Sequence, residues 1–124
     1  MILGSGGASK AVAHGLLKAG ILYRYVSRNP QTTAQVSYDA LTPEIISEYK
    51  LIINTSPVGM YPHVEECPPL SYDAISKKHL IFDLIYNPDR TLLMKKAAEN
   101  GAVVKNGLEM LHLQAEKAWT IWNE

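Results

Sequence analysis

Met1-Ile2-Leu3-Gly4-Ser5-Gly6-Gly7-Ala8-Ser9-Lys10 opens the chain. Three apolar, β-like residues lead into a glycine-rich turn, and a helical pattern follows from about Ala8 to Ala19. Gly20 then stands where a left-handed residue commonly ends a helix. Strand, glycine turn and helix form the context in which a G-x-G-x-x-G pattern carries chemical meaning. The demand is close approach of backbone to a pyrophosphate. A side chain at Gly4 or Gly6 would block the tight turn or that approach. The N–H groups and dipole of the following helix then hold the phosphate charge. Ser9 replaces the third glycine and is small enough for close helix–strand packing. The rival reading is a glycine-rich turn with no ligand, and the flanking strand and helix favour the phosphate one.

The remaining chain repeats the alternation. Ile21 to Val26 reads as a strand, broken by Arg28-Asn29-Pro30, and Val36-Ser37-Tyr38 as a short one. Thr42-Pro43-Glu44 starts a brief helix ending near Tyr49, with a hydroxyl N-cap, proline at the first position and an acid in the first turn. Leu51-Ile52-Ile53 is a buried-strand triplet closed by Asn54-Thr55-Ser56-Pro57-Val58-Gly59. Tyr61 to Ser71, with Pro62, Pro68 and Pro69, is a loop. Leu80 to Ile85 is the next strand. Pro88-Asp89-Arg90-Thr91 caps a helix to about Asn100, and Ala102-Val103-Val104 is a last short strand. From Gly107 to Trp122 the pattern is helical, with Leu108, Leu111, Ala115, Ala118 and Trp122 as its buried stripe.

Nearly all-apolar strands alternating with helices predict a three-layer αβα domain with a mostly parallel sheet. Only about ten residues separate Val26 from Val36, fewer than a helical crossover uses, so a loop or single turn is expected there. The first strand is expected to be truncated, because three residues precede the glycines where five or six are usual.

The end of the second strand bears on which dinucleotide is held. An NAD-type site carries an acid about 20 residues beyond the glycines. Here that place holds Ser27-Arg28-Asn29. A guanidinium can pair with a 2′-phosphate through its fork of donors, which points to NADP(H). The alternative leaves Arg28 as a solvated loop residue.

Four segments then resemble one family in order and spacing across nearly the whole chain. Gly4 to Lys10 is similar to the G-A-G-G-A-[SA]-[RK] loop of shikimate dehydrogenases. Asn54 to Met60 resembles their N-A-T-P-x-G-M segment, and Asp83 to Pro88 with Thr91 their D-x-x-Y-x-P…T segment. Asn106 to Ala115 resembles D-G-x-x-M-L-x-x-Q-A. The resemblance implies a Rossmann-like NADP-binding C-terminal domain over residues 1–124. It implies NADPH-dependent reduction of 3-dehydroshikimate to shikimate in the intact enzyme, within aromatic amino-acid biosynthesis. The family's N-terminal substrate domain, which carries its catalytic lysine and aspartate, is expected to be absent from this chain. No catalytic residue is therefore assigned, and the chain alone is expected to bind NADP(H) without turnover.

By the same resemblance, Gly4, Ser5, Gly6, Gly7 and Ala8 would carry the pyrophosphate, and Arg28, flanked by Ser27 and Asn29, would face the 2′-phosphate. Thr32 stands where the family has a second arginine. Thr55 and Ser56 would line the cofactor channel, with Leu84, Gly107 and Met110 near the nicotinamide. Tyr86 and Gln114 match substrate-contacting residues. From the residues alone, Met110 reads as core filler and Gln114 as solvated. Tyr86 fits a substrate contact or a cap over the sheet edge equally well. Asp83, inside an apolar strand, reads as an acceptor for neighbouring N–H groups rather than as an acid–base group.

Composition narrows the partners. Twelve Lys+Arg balance twelve Asp+Glu, which argues against a general nucleic-acid binder and a polybasic membrane segment. No apolar run approaches the roughly 20 residues of a membrane span, and the glycines after Leu3 do not suit a signal peptide. The single cysteine, Cys67, excludes an internal disulfide and suggests a reducing, cytoplasmic setting. His63, Glu65, Glu66 and Cys67 lie close in sequence but match no zinc-site spacing, so no metal is expected. The expected partner is a small-molecule substrate; the oligomeric state is open. Two rivals remain: a related NAD(P) oxidoreductase domain, such as a quinate-type one, and a non-catalytic nucleotide-binding or interaction module.

Overall fold

The computed structural model describes residues 1–33 and 35–107. Six parallel strands form one sheet: β1 (Ile2–Leu3), β2 (Tyr25–Ser27), β3 (Gln35–Ser37), β4 (Leu51–Asn54), β5 (Leu80–Asp83) and β6 (Val103–Asn106), in the order β3-β2-β1-β4-β5-β6. The helices are α1 (Gly7–Lys18), α2 (Pro43–Glu48) and α3 (Leu92–Glu99). The expected αβα class with a parallel sheet is therefore what the chain forms. The strand order reverses between β1 and β4. In open α/β sheets the crevice at such a reversal, outside the carboxyl ends of the strands, is where ligands bind.

Local signals set the helix ends. Thr42 Oγ1 accepts the N–H of Ile45 at 3.2 Å and Pro43 takes the first position of α2. Thr91 Oγ1 accepts the N–H of Met94 at 3.3 Å to start α3. Gly20, with φ +73°, follows the last turn of α1. The link between β2 and β3 contains no helix, as its length required.

Several strand boundaries differ from expectation: β3 is Gln35–Ser37 rather than 36–38, β6 runs on to Asn106 rather than ending at Val104, and β2 and β5 are shorter than expected. Ile21 to Arg24 is not strand; β2 begins only at Tyr25. A strand needs a neighbouring backbone, and β1 is two residues long, with Ile2 N–H donating to Arg24 O as the first bond. Leu22 accordingly stays 93% exposed. At the other end β5 stops at Asp83 rather than Ile85. The carboxylate of Asp83 takes the Ile85 N–H at 3.1 Å, so the chain curls at the strand end instead of extending.

Alternation along the strands divides the apolar residues between the two faces. Val26, Ile52 and Ile81 pack with Ile46 of α2 and Leu93 and Ala97 of α3 in the main core. On the opposite face Leu51, Ile53, Phe82 and Leu84 border a trough beside Val12 and Leu16 of α1. The predicted helix over residues 107–122 lies outside the described residues apart from Gly107, as do Met110 and Gln114.

Candidate functional site

Two clefts open at the carboxyl ends of the strands. The first, about 360 Å³, runs from Gly4, Ser5 and Gly6 after β1 to Ser27, Arg28 and Asn29 after β2. Gly4 has φ +113°, and a Cβ there would sit 2.6 Å from Thr55 Oγ1. Its glycine is required by the protein's own geometry. Gly6 differs: its φ is −83°, and a Cβ would meet nothing within 4 Å. Neither conformation nor packing asks for glycine at that position, so what it provides is open space at the start of α1. A dinucleotide pyrophosphate requires such a cradle. Ser9 is buried and donates its hydroxyl to Gly6 O at 2.5 Å, closing the first turn where a third glycine would otherwise stand.

Arg28 is exposed at the far end of this cleft. The half-buried phenol of Tyr38 lies near enough to feel its charge. Burial pushes the Tyr38 phenol up to about 12, with the Arg28 cation pulling the other way. Ser27 is buried and donates to Gln35 Oε1 at 3.2 Å, which also accepts the Gln31 N–H at 3.0 Å. These bonds tie the loop after β2 to β3 and hold Arg28 beside the cleft.

The second cleft, about 430 Å³, is lined by Ala8, Met60, Tyr61, Leu84, Tyr86 and Asn87. Its lining is mostly apolar and aromatic, with Met60, Tyr61 and Tyr86 well exposed. Thr55, Ser56 and Pro57 line both clefts and form the wall between them. The wall is fixed from β1: Thr55 donates both its N–H (2.8 Å) and its hydroxyl (2.7 Å) to Leu3 O. Behind it Asp83 is fully buried and accepts from Asn54 Nδ2 at 3.2 Å, from the Ile85 N–H and from Thr91 Oγ1 at 2.7 Å. Burial raises its carboxyl above the usual range, opposed by these three hydrogen bonds. The expected acceptor role of Asp83 is what the geometry shows.

Known proteins are similar to this chain in sequence and fold. No protein-family model matches the chain. A shikimate dehydrogenase (NADP(+)) of Methanosphaera stadtmanae is 38% identical over 138 aligned residues, covering 98% of this chain and 49% of that protein. The crystal structure of shikimate 5-dehydrogenase from Listeria monocytogenes, in complex with shikimate and NAD, superposes with a TM-score of 0.87 at 25% identity, over 98% of this chain and 50% of that one. The Thermus thermophilus enzyme, in complex with NADP(H) and shikimate, gives a TM-score of 0.81 at 29% identity, over 98% and 47%. The chain is homologous to the C-terminal half of the shikimate dehydrogenases. It spans about half the length of the curated relatives it matches.

In this chain, the first cleft gathers Gly4, Ser5, Gly6, Ser27, Arg28, Asn29, Thr55 and Ser56. The second gathers Ala8, Thr55, Ser56, Leu84 and Tyr86. Gly7 begins α1 and lines neither. Gly107 is buried, and a Cβ on it would land on the carbonyl oxygen of Leu84. Its glycine is accounted for by that close approach, before any ligand is considered. Sequence reasoning missed Tyr38 in the first cleft and Met60, Tyr61 and Asn87 in the second. Tyr38 directly follows β3, so its place at the carboxyl edge was the signal available. His63, Glu65 and Glu66 are all exposed, with ligand atoms within 4.8 Å of one another, and they line neither cleft. Among the described residues no helix is long and apolar enough to cross a membrane.

Proposed function

We propose that this chain is the NADP-binding half of a shikimate dehydrogenase, which holds NADPH for reduction of 3-dehydroshikimate to shikimate. The observation that carries the reading is the unused space at Gly6, in a cleft continuous with Arg28. Gly4, Ser5, Gly6, Gly7 and Ala8 at the start of α1 would hold the pyrophosphate. Arg28, with Ser27 and Asn29 beside it, would take the 2′-phosphate as a forked donor. NADPH, when bound, supplies the hydride.

The chain's own contribution is positional. The Thr55–Ser56–Pro57 wall separates the phosphate cleft from the second one and directs the cofactor's reactive end past Leu84. Gly107 and Met110 are assigned beside that end, and Tyr86 and Gln114 to the substrate. The protonating groups and the rest of the substrate pocket would come from the family's other half, so the chain alone binds NADP(H) without turnover. A reducing cytoplasm, with no nucleic-acid or membrane partner, suits the neutral charge balance and single cysteine. The test is a fluorescence titration of the chain with NADPH and NADH. Arg28→Ala should weaken NADPH about tenfold or more while leaving NADH within about twofold. An unchanged NADPH affinity removes the 2′-phosphate assignment. Shikimate oxidation by the purified chain removes the claim that it is inactive alone.

A further inference from the structure

Ser56 is anchored differently from Thr55. Both its N–H (3.1 Å) and its hydroxyl (2.6 Å) donate to Oδ1 of Asn54. The same Ser56 hydroxyl accepts the Val58 N–H at 3.4 Å. Asn54 is fully buried at the end of β4, and its Nδ2 donates to Oδ1 of Asp83 at the end of β5. An amide side chain has a donor end and an acceptor end, and which one faces a neighbour is decided by its surroundings. An ionised carboxylate only accepts. Asp83 therefore turns the NH₂ of Asn54 toward itself and leaves the carbonyl oxygen for Ser56. A reversed amide would set its carbonyl oxygen against the Asp83 carboxylate and its NH₂ against the Ser56 N–H.

We propose that Asp83 is the positioning residue of the cofactor site, acting through Asn54 to hold Ser56 and with it the wall between the two clefts. Asp83 itself lines neither cleft. Its carboxylate has two branches. Oδ1 serves Asn54 and the Ile85 N–H, and Oδ2 serves the Thr91 hydroxyl that caps α3. The branches separate the site from the scaffold. Loss of the Oδ2 branch frees the hydroxyl that caps α3, whereas loss of the Oδ1 branch frees the Asn54 amide and the wall.

The inference rests on the NADP reading for its consequence, and on the wall alone for its geometry, so two readouts are needed. Four variants of the full 124-residue chain are compared by amide hydrogen exchange at residues 55–58 and by NADPH titration. Asp83→Ala and Asn54→Ala should speed exchange at Ser56 and Val58 about tenfold or more beyond the change in global stability, and weaken NADPH by a similar factor. Thr91→Val should lower Tm yet leave both readouts within about threefold. Asp83→Asn keeps an Oδ1 acceptor and should rescue exchange and affinity while the Thr91 branch remains weakened. If Asp83→Ala does not fold, Asn54→Ala breaks the same branch one residue nearer the wall. Unchanged exchange at Ser56 in the folded Asp83→Ala or Asn54→Ala chain overturns the proposal. So does Thr91→Val matching their effect, because affinity would then merely follow stability. If the exchange pattern holds but the wild-type chain binds no NADPH, the wall assignment stands and the cofactor reading fails.

Discussion

The two clefts on either side of the Thr55–Ser56–Pro57 wall are built from different materials. The first is backbone and polar side chains: a glycine turn, the start of α1, and Arg28 held beside it by bonds running back to Gln35. Its components are all anchored within the chain. The second is lined by Met60, Tyr61, Tyr86 and Leu84, three of them well exposed. Large apolar side chains clustered at a surface mark a face that is completed by something else. On the reading proposed above, a phosphate-binding turn needs only local backbone, whereas a pocket for a small polar substrate needs polar groups converging from several directions.

The sharpest way to test the first cleft is to set its two glycines against each other. Gly4→Ala meets a φ of +113° and the Thr55 oxygen at 2.6 Å. It should cost about 3 kcal/mol, on the order of 10 °C in Tm for a domain of this size, and lose NADPH with it. Gly6→Ala has no clash and no strain to create. It should leave Tm within about 3 °C while still weakening NADPH about tenfold or more. Thermal melts and a titration of both variants decide the matter. Affinity that simply tracks Tm across the pair would mean that the cleft has no ligand role.

Tyr86→Ser probes the other side. Tyr86 does not line the phosphate cleft, so NADPH affinity of the chain should stay within about twofold and Tm should fall little, since Tyr86 is 53% exposed. A tenfold loss of NADPH would show that the wall does not divide the clefts as drawn.

The sequence patterns carried further in the first cleft than in the second. The strand–glycine–helix succession, the Thr42 and Thr91 caps and the acceptor role of Asp83 are local signals, each set by a few neighbouring residues. Tyr38 and the Asn54–Asp83 pair were harder to read. Asn54 and Asp83 are 29 residues apart and meet only because β4 and β5 pair in register, Asn54 beside Asp83. Gly107 was read through a family motif as a cofactor contact, whereas its immediate constraint is the Leu84 carbonyl. That constraint appears only when the chain after β6 folds back over the end of β5. The strand over Ile21–Arg24 failed for the opposite reason. Its pattern was strand-like, but β1 reaches back no further than the Arg24 carbonyl.

The smallest effect concerns Tyr38, the one phenol among the described residues that lines the first cleft. Burial holds it at about 12, from an ordinary value of 10.0, and pushes Tyr72 up further. Tyr72 donates its hydroxyl to Pro68 O at 2.7 Å. For a group whose folded pKa is raised, the stabilising contribution is complete below the unfolded value and is lost as pH rises through the folded one. The window for Tyr38 is therefore about pH 10 to 12. The Tyr38 and Tyr72 phenolates should appear in a late stage of the absorbance rise, only as the chain unfolds above pH 10. NADP⁺ bound beside Arg28 would occupy part of the cation's field now felt by Tyr38 and should push the Tyr38 stage slightly later. A Tyr38→Phe chain would reduce that stage to the Tyr72 contribution and remove its ligand dependence. A late stage in Tyr38→Phe that still shifts with NADP⁺ would move the 2′-phosphate end of the first cleft away from Arg28 and Tyr38.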